Sequence, residues 1–208
     1  MSLVLTPGLI LNAYSRGIFP MAEGRDDPEI YWLDPKRRGV IPLDNFHMSR
    51  SLRKKIRREP YDIKVNTDFS GVLEGCADRD ETWINDQIFS LYMDLHRSGH
   101  AHSVEVWEGT ALIGGIYGVT LASAFFGESM FSRKRDTSKI AMAYLVSRLR
   151  KGGFSLFDTQ FITDHLASMG GIEISRDAYH VLLTDALKDE ASFHQQPPRV
   201  SADQVCNE

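Results

Sequence analysis

The 208 residues are 42% hydrophobic and 25% charged, a globular composition long enough to bury one real core with an appendage. With 24 Lys and Arg against 28 Asp and Glu, the formal net charge of −4 excludes indiscriminate polyanion binding by the whole surface, so any basic patch must be local. No apolar run reaches the roughly 18–20 residues that span a bilayer, the stretch MSLVLTPGLILNAYSRG lacks a secretory signal pattern, and Cys76 and Cys206 offer neither a disulfide framework nor a CxxC metal pair; a cytoplasmic protein with ordinary thiols is expected.

Residues 1–36 are rich in Gly, Pro and aromatics, with SRGIFPM, the acidic turn AEGRDDPE and IYWLDP, and are expected to form a small loop-rich N-terminal lobe. From RGVIPL onward the pattern is regular. In HMSRSLRKKIRRE, Met48, Leu52 and Ile56 recur every four residues and make one apolar line on an otherwise cationic helix. YDIKVN alternates as a strand, and TDFSGVLEGCADR predicts a helix capped by Thr67 or Asp68, with Phe69, Val72, Leu73 and Cys76 facing inward. The next helix, within TWINDQIFSLYMDLHRSGH, places Ile84, Ile88, Leu91, Tyr92 and Leu95 on one face and stops near Gly99.

HSVEVWEGTALIGGIYGVTLASAFFGESMF then reads as an antiparallel meander of three strands parted by EGT and TLAS. TSKIAMAYLVSRLRKGG predicts a helix from a Thr or Ser cap to a glycine stop, FSLFDTQ a buried strand and DHLASMGG a short helix. IEISRDAYHVLLTDALKD supplies a short strand and a closing helix, and residues 191–208, ASFHQQPPRVSADQVCNE, have the polar, proline-containing make-up of a flexible tail.

Within residues 37–190, the expected main domain, the run that begins at YDIKVN has the order strand, two helices, three antiparallel strands, helix, strand, helix. It predicts an α+β class, a mostly antiparallel mixed sheet flanked by helices, with the order of the GNAT acyltransferase fold. Such folds receive the pyrophosphate of acetyl-CoA on the backbone N–H groups of a Gly-rich loop at a helix N-terminus. The corresponding junction here, FSRKRDTSK, contains no glycine. Acetyl-CoA is therefore disfavoured as the acyl donor, and something else must carry the acyl group.

A collinear series of motifs suggests the carrier. RGIFPM, HMSRSL, TWI, GHAHSVEVW, GGIYGV, GESMFS, the SK beyond it and FDTQ followed by DHLASMGG make the sequence resemble the leucyl/phenylalanyl-tRNA-protein transferases. The chain has Met21 where some members carry tryptophan after GIFP. The resemblance implies an aminoacyltransferase that moves Leu or Phe from Leu-tRNA or Phe-tRNA to the α-amino group of proteins beginning with Arg or Lys, marking them for N-degron degradation, and acting as a monomer away from membranes. An aminoacyl ester is already activated, so it implies no ATP, metal or other cofactor.

Carried onto this chain, the resemblance makes Gln160 and Asp158, at the end of FDTQ, the catalytic pair, with Gln160 touching the attacking amine and Asp158 orienting it. A glutamine amide is a very poor base, so Gln160 is read as an acceptor that positions the amine. The residues alone leave another reading, in which both cap the loop leaving a buried strand. Glu128, the lone acid in AFFGESMF, falls at the acceptor-peptide site, where it would take the guanidinium or ammonium of an N-terminal Arg or Lys; the alternative is an internal pair with Arg133 or Lys134.

Ile116, Phe125, Met130 and Tyr144 are the candidates for the apolar pocket of the donated Leu or Phe, ordinary core packing being the competing reading. Trp83 either stacks on the terminal adenosine or sits in the core. Arg50, Arg53, Lys54 and Arg57 fall on one helix face and, extended by Arg133 and Lys134, form the expected track for tRNA phosphates, or else a solvated basic face. His100 and His102 find no third ligand at suitable spacing, and no metal is assigned. Two other functions compete: an acetyl-CoA-dependent acyltransferase, and a non-catalytic adaptor that binds basic protein N-termini through Glu128.

Overall fold

The computed structural model describes residues 5–25, 27, 29–58, 61–197 and 200–207. The N-terminal lobe is more ordered than its composition predicts. Thr6 caps a helix, α1 (Pro7–Tyr14), its side chain accepting from the Leu9 N–H while Pro7 takes the first turn, where no N–H is needed. Ile10 and Tyr14 of α1 are fully buried in the main core. Beyond it, β1 (Phe19–Met21) and β2 (Tyr31–Leu33) pair antiparallel, and β3 (Arg37–Val40) leaves the lobe to join the large sheet.

From there the elements follow the expected order: α2 (Arg50–Arg58), β4 (Asp62–Val65), α3 (Phe69–Ala77), α4 (Asp86–Arg97), β5 (Ala101–Glu108), β6 (Ala111–Leu121), β7 (Ala124–Ser132), α5 (Thr137–Gly152) and β8 (Leu156–Gln160). The chain then runs through α6 (Asp164–Ala167), β9 (Ile172–Ser175), α7 (Arg176–Ala186) and α8 (Ala202–Asn207). Asp68, not Thr67, caps α3, because the Thr67 hydroxyl and N–H are taken by the buried Glu105 carboxylate. The expected Thr or Ser cap of α5 is not used either. Asp136 occupies that position in the left-handed region, φ 67°, and Thr137 turns inward to donate to the Ile113 carbonyl.

The result is α+β: a seven-stranded mixed sheet in the order β4-β5-β6-β7-β8-β3-β9, flanked by helices on both faces. Every neighbouring pair is antiparallel except β7 and β8. One core, on the side of α1, α3, α4 and α7, centres on Tyr14, Leu73, Tyr92, Tyr117, Phe126 and Tyr179. The other, on the side of α2, α5 and α8, holds Leu52, Ile56, Ile116, Phe125, Leu149 and Phe157. No described helix is long and apolar enough to cross a membrane.

The expected flexible tail instead packs against the body. Phe193 is buried and stacks on His102 at 4.2 Å, and buried Arg148 donates to the carbonyls of Phe193, Gln196 and Pro197 at 2.9, 2.8 and 2.7 Å. Val205 and Cys206 bury against α2, whose Arg53 donates to the Cys206 carbonyl and whose Arg57 meets Asp203 and Asn207, both at 3.0 Å. Composition understates this tail because a few apolar side chains and a buried guanidinium suffice to fix it.

Candidate active site

The site lies where β7 and β8 part. Their parallel pairing covers only Ala124–Phe126 against Leu156–Asp158. Immediately beyond, each strand carries one extra residue relative to its other neighbour. On β7 the register passes from Gly127 opposite Gly118 to Ser129 opposite Tyr117, leaving Glu128 as the extra residue. On β8 it passes from Asp158 opposite Val40 to Gln160 opposite Gly39, leaving Thr159 extra. A bulge bends its strand and re-aims the next side chains. Glycine is required opposite each: a Cβ on Gly118 would lie 2.3 Å from the Phe126 carbonyl oxygen, and one on Gly39 would lie 2.7 Å from the Phe161 carbonyl carbon.

A cavity of about 620 Å³ opens between the parted strands. Glu128, Met130 and Arg133 line it from β7 and its exit, Gln160 and Leu166 from β8 and α6, and Phe19, Met21, Arg79 and Trp83 from the N-terminal lobe and the α3–α4 connection. Glu128 is held there by three neutral donors. The Oε1 atom accepts from the Tyr14 hydroxyl at 2.6 Å and from Gln160 Nε2 at 3.3 Å, and Oε2 accepts from the Tyr92 hydroxyl at 2.7 Å. The two tyrosine hydroxyls lie 2.8 Å apart. Among the described residues no cation pairs with Glu128. Burial, and secondarily the charge of Asp158, push its carboxyl up to about 7, against the pull of the two tyrosine hydrogen bonds.

Asp158 is different in kind. It is fully buried behind the cavity wall, and Arg38 of β3 grips it through both oxygens, Nε to Oδ1 at 2.9 Å and Nη2 to Oδ2 at 2.6 Å. The Tyr179 hydroxyl adds a bond to Oδ2 at 2.8 Å, and the backbone N–H of Gln160 adds one to Oδ1 at 2.8 Å. Gln160 itself holds φ 56°, the left-handed region that costs a non-glycine residue about 1–3 kcal/mol and persists only where the surroundings impose it.

The structure thus brings Glu128, Gln160, Met130, Trp83 and Arg133 to one cavity, with Asp158 just behind it. The alternative, an internal pair of Glu128 with Arg133 or Lys134, does not form: Arg133 donates to the Leu112 carbonyl at 3.0 Å, and Lys134 meets Glu108. Trp83 meets the Tyr92 ring edge-on at 6.3 Å. Ile116, Phe125 and Tyr144 do not line the cavity. They are buried in the core on the α5 side, and Phe125 lies where β7 is still paired with Phe157 of β8, so no opening reaches it. Arg50, Arg53, Lys54 and Arg57 line, with Arg58, a separate concavity of about 300 Å³ on α2. His102 is buried, 3.0 Å from the Asn66 side chain and away from the cavity, and among the described residues no group of three or more His, Cys, Asp or Glu is placed to hold a metal.

Sequence reasoning missed Tyr14, Tyr92 as a polar group, Arg38, Tyr179 and Arg79, whose guanidinium reaches the Met130 carbonyl. Tyr14 and Tyr92 carry a signal that reading for apolar periodicity discards, since a buried tyrosine hydroxyl must find a partner.

Residues 40–184 match the family model for leucyl/phenylalanyl-tRNA protein transferase, and residues 4–36 match the model for its N-terminal domain. A leucyl/phenylalanyl-tRNA–protein transferase of Cereibacter sphaeroides (strain ATCC 17025 / ATH 2.4.3) is 63% identical over 199 residues, 96% of this chain and 92% of that protein. One of Ruegeria sp. (strain TM1040) is 62% identical over 191 residues, 92% of this chain and 91% of that protein. Among solved structures, L-PGS from Bacillus licheniformis aligns with 74% of this chain and 53% of that chain at 14% identity, with a TM-score of 0.41.

Proposed function

The chain belongs to the leucyl/phenylalanyl-tRNA protein transferase family, and from that premise we propose that its cavity joins the aminoacyl group of Leu-tRNA or Phe-tRNA to the α-amine of a polypeptide beginning with Arg or Lys. It is a tRNA-dependent aminoacyltransferase. Glu128 carries the acceptor assignment. A carboxylate held by two phenols and an amide, facing a cavity in which no described cation pairs with it, is completed by a guanidinium or ammonium from outside.

In the reaction the neutral α-amine attacks the ester carbonyl carbon, the C–N bond forms, and the C–O bond to the terminal ribose breaks. The amine's proton leaves with the tRNA hydroxyl, directly or through water. Gln160 lies 3.3 Å from Glu128 through its Nε2, which leaves its Oε1 to accept an N–H of the incoming amine beside the bound cation. Asp158, with both oxygens already bonded, holds Gln160 rather than taking the proton. An α-amine of ordinary pKa, about 7.7–8.0, is neutral often enough near neutral pH that orientation is the main task, and orientation supplies a large share of such accelerations. The donor side chain packs on Met130 with Phe131 and Leu166, and Trp83 stacks on the terminal adenosine. Phosphates of the acceptor stem meet Arg50 and Lys54, with Arg53, Arg57, Arg133 and Lys134 partly engaged by the chain's own groups.

The order β4-α3-α4-β5-β6-β7-α5-β8 and the parting of parallel β7 and β8 at the site support a GNAT-like reading of the sheet. An acetyl-CoA donor is disfavoured by Asp136 standing where α5 begins, a carboxylate in place of a glycine cradle for pyrophosphate. A cytoplasmic monomer that marks its acceptors for N-degron turnover completes the reading. Single-turnover transfer from radiolabelled Leu-tRNA to an Arg-initiated peptide tests it: labelled peptide is expected, whereas peptide binding without covalent product would make the protein an adaptor.

A further inference from the structure

The sheet makes an unusual detour to bring one residue to the site. β3 leaves the N-terminal lobe and inserts between β8 and β9, and this places the Arg38 guanidinium, fully buried, against Asp158. It is fixed on every side: by the two bonds to the Asp158 oxygens, by Nη1 donating to the Gly17 carbonyl at 2.8 Å, and by the Phe19 and Tyr179 rings, whose centroids lie 4.7 and 4.3 Å from its central carbon. A buried ion pair is weak evidence for stability, since apolar residues of like volume serve as well. Its geometry has a more specific consequence. The oxygen gripped by Arg38 Nε is the one that accepts the Gln160 N–H, which links the rigid guanidinium fork to the left-handed Gln160 through a single carboxylate.

We propose that Arg38, assisted by Tyr179, is a positioning residue for aminoacyl transfer: by clamping the Asp158 carboxylate it fixes the Gln160 backbone in its left-handed conformation and so aims the Gln160 amide at the attacking amine. Arg38 is fully buried and does not line the cavity. The inference rests on the reading of Gln160 as the group that meets the amine. Lysine at position 38 keeps the charge but not the planar fork, so the carboxylate is free to turn and the Gln160 backbone to relax. Tyr179→Phe removes one neutral donor from the same carboxylate and leaves the fork in place.

The test is a double-mutant cycle in single-turnover transfer, with both substrates saturating and their dissociation constants measured separately. Arg38→Lys is expected to slow transfer about 10²-fold, as small misplacements of a reacting group do, with both dissociation constants within about twofold of wild type. Tyr179→Phe should slow it about fivefold. In a Gln160→Ala background each change should cost less than about twofold more, because the group it positions is gone. Equal losses in both backgrounds, or a loss confined to substrate binding, overturn the inference. If Arg38→Lys does not fold by circular dichroism, Tyr179→Phe carries the same cycle and is read in the same way. A Gln160→Ala rate equal to wild type overturns the reading of Gln160 together with the clamp, whereas a slow Gln160→Ala with additive Arg38→Lys overturns the clamp alone.

Discussion

Asp158 and Glu128 are neighbouring carboxylates with opposite surroundings. Asp158 is sealed from solvent and neutralised by a bidentate arginine, and four donors fill its two oxygens. Glu128, in the cavity wall, is held by neutral donors, and burial pushes its carboxyl up to about 7. A charge closed by a built-in cation fixes geometry; one left with phenols and an amide is available to a visiting cation.

Removing each charge in turn separates the two carboxylates. Asp158→Asn leaves Arg38 buried beside a group that no longer neutralises it, and should lower stability by about 3–5 kcal/mol in urea or thermal unfolding. Glu128→Gln should leave stability at pH 7.5 unchanged or raise it. Similar losses from the two would erase the distinction.

A smaller effect separates them by pH. The raised carboxyl of Glu128 means that the folded protein binds more protons than the unfolded chain between the ordinary glutamate value of about 4.5 and the folded value of about 7, so this group makes stability fall as pH rises through that window. For binding the sign is the reverse. Below about 7 the free site is neutral, so affinity for an Arg-initiated peptide should drop from pH 8 to pH 6, approaching tenfold per unit, about 1.36 kcal/mol, below the folded value. The peptide's own α-amine titrates nearby, and the difference between wild type and Glu128→Gln in calorimetry isolates the Glu128 part. A fall of equal size in both proteins would assign the whole pH dependence to the peptide.

The smallest effect extends the contrast of occupied and open charges to α2. Arg53 and Arg57 are engaged by α8, while Arg50 and Lys54 stand exposed. Replacing Arg50 and Lys54 with Ala should weaken tRNA binding and flatten the slope of log affinity against log salt by about 0.7–0.9 for each phosphate no longer neutralised. An unchanged slope would remove this helix from the interface.

Much of this was legible because it is local. The apolar line of Leu52 and Ile56, the meander and the helix through Leu149 follow from periodicity, and a lone glutamate between Phe126 and Met130 stands out in the sequence itself. What escaped depends on pairings distant in sequence. Nothing around RGVIPL tells that β3 will lie between β8 and β9, so Arg38 could not be set beside Asp158, 120 residues away. The bulge at Glu128 also breaks strand alternation: Phe126 and Phe131 share one core, and Phe125 and Met130 pack on the other. A pocket read from motifs therefore collected Phe125, which lies before the strands part, together with Met130, which lies after.

The most direct test of the central claim compares single-turnover transfer, from the same Leu-tRNA, to peptides beginning with arginine or with its neutral isostere citrulline, using wild type and Glu128→Gln. If Glu128 receives the guest's positive charge, wild type favours arginine by about 10- to 100-fold, the worth of one charge-assisted hydrogen bond, and Glu128→Gln loses that preference while binding aminoacyl-tRNA as before. An undiminished preference for arginine in Glu128→Gln would place the recognition of the acceptor elsewhere and contradict the account.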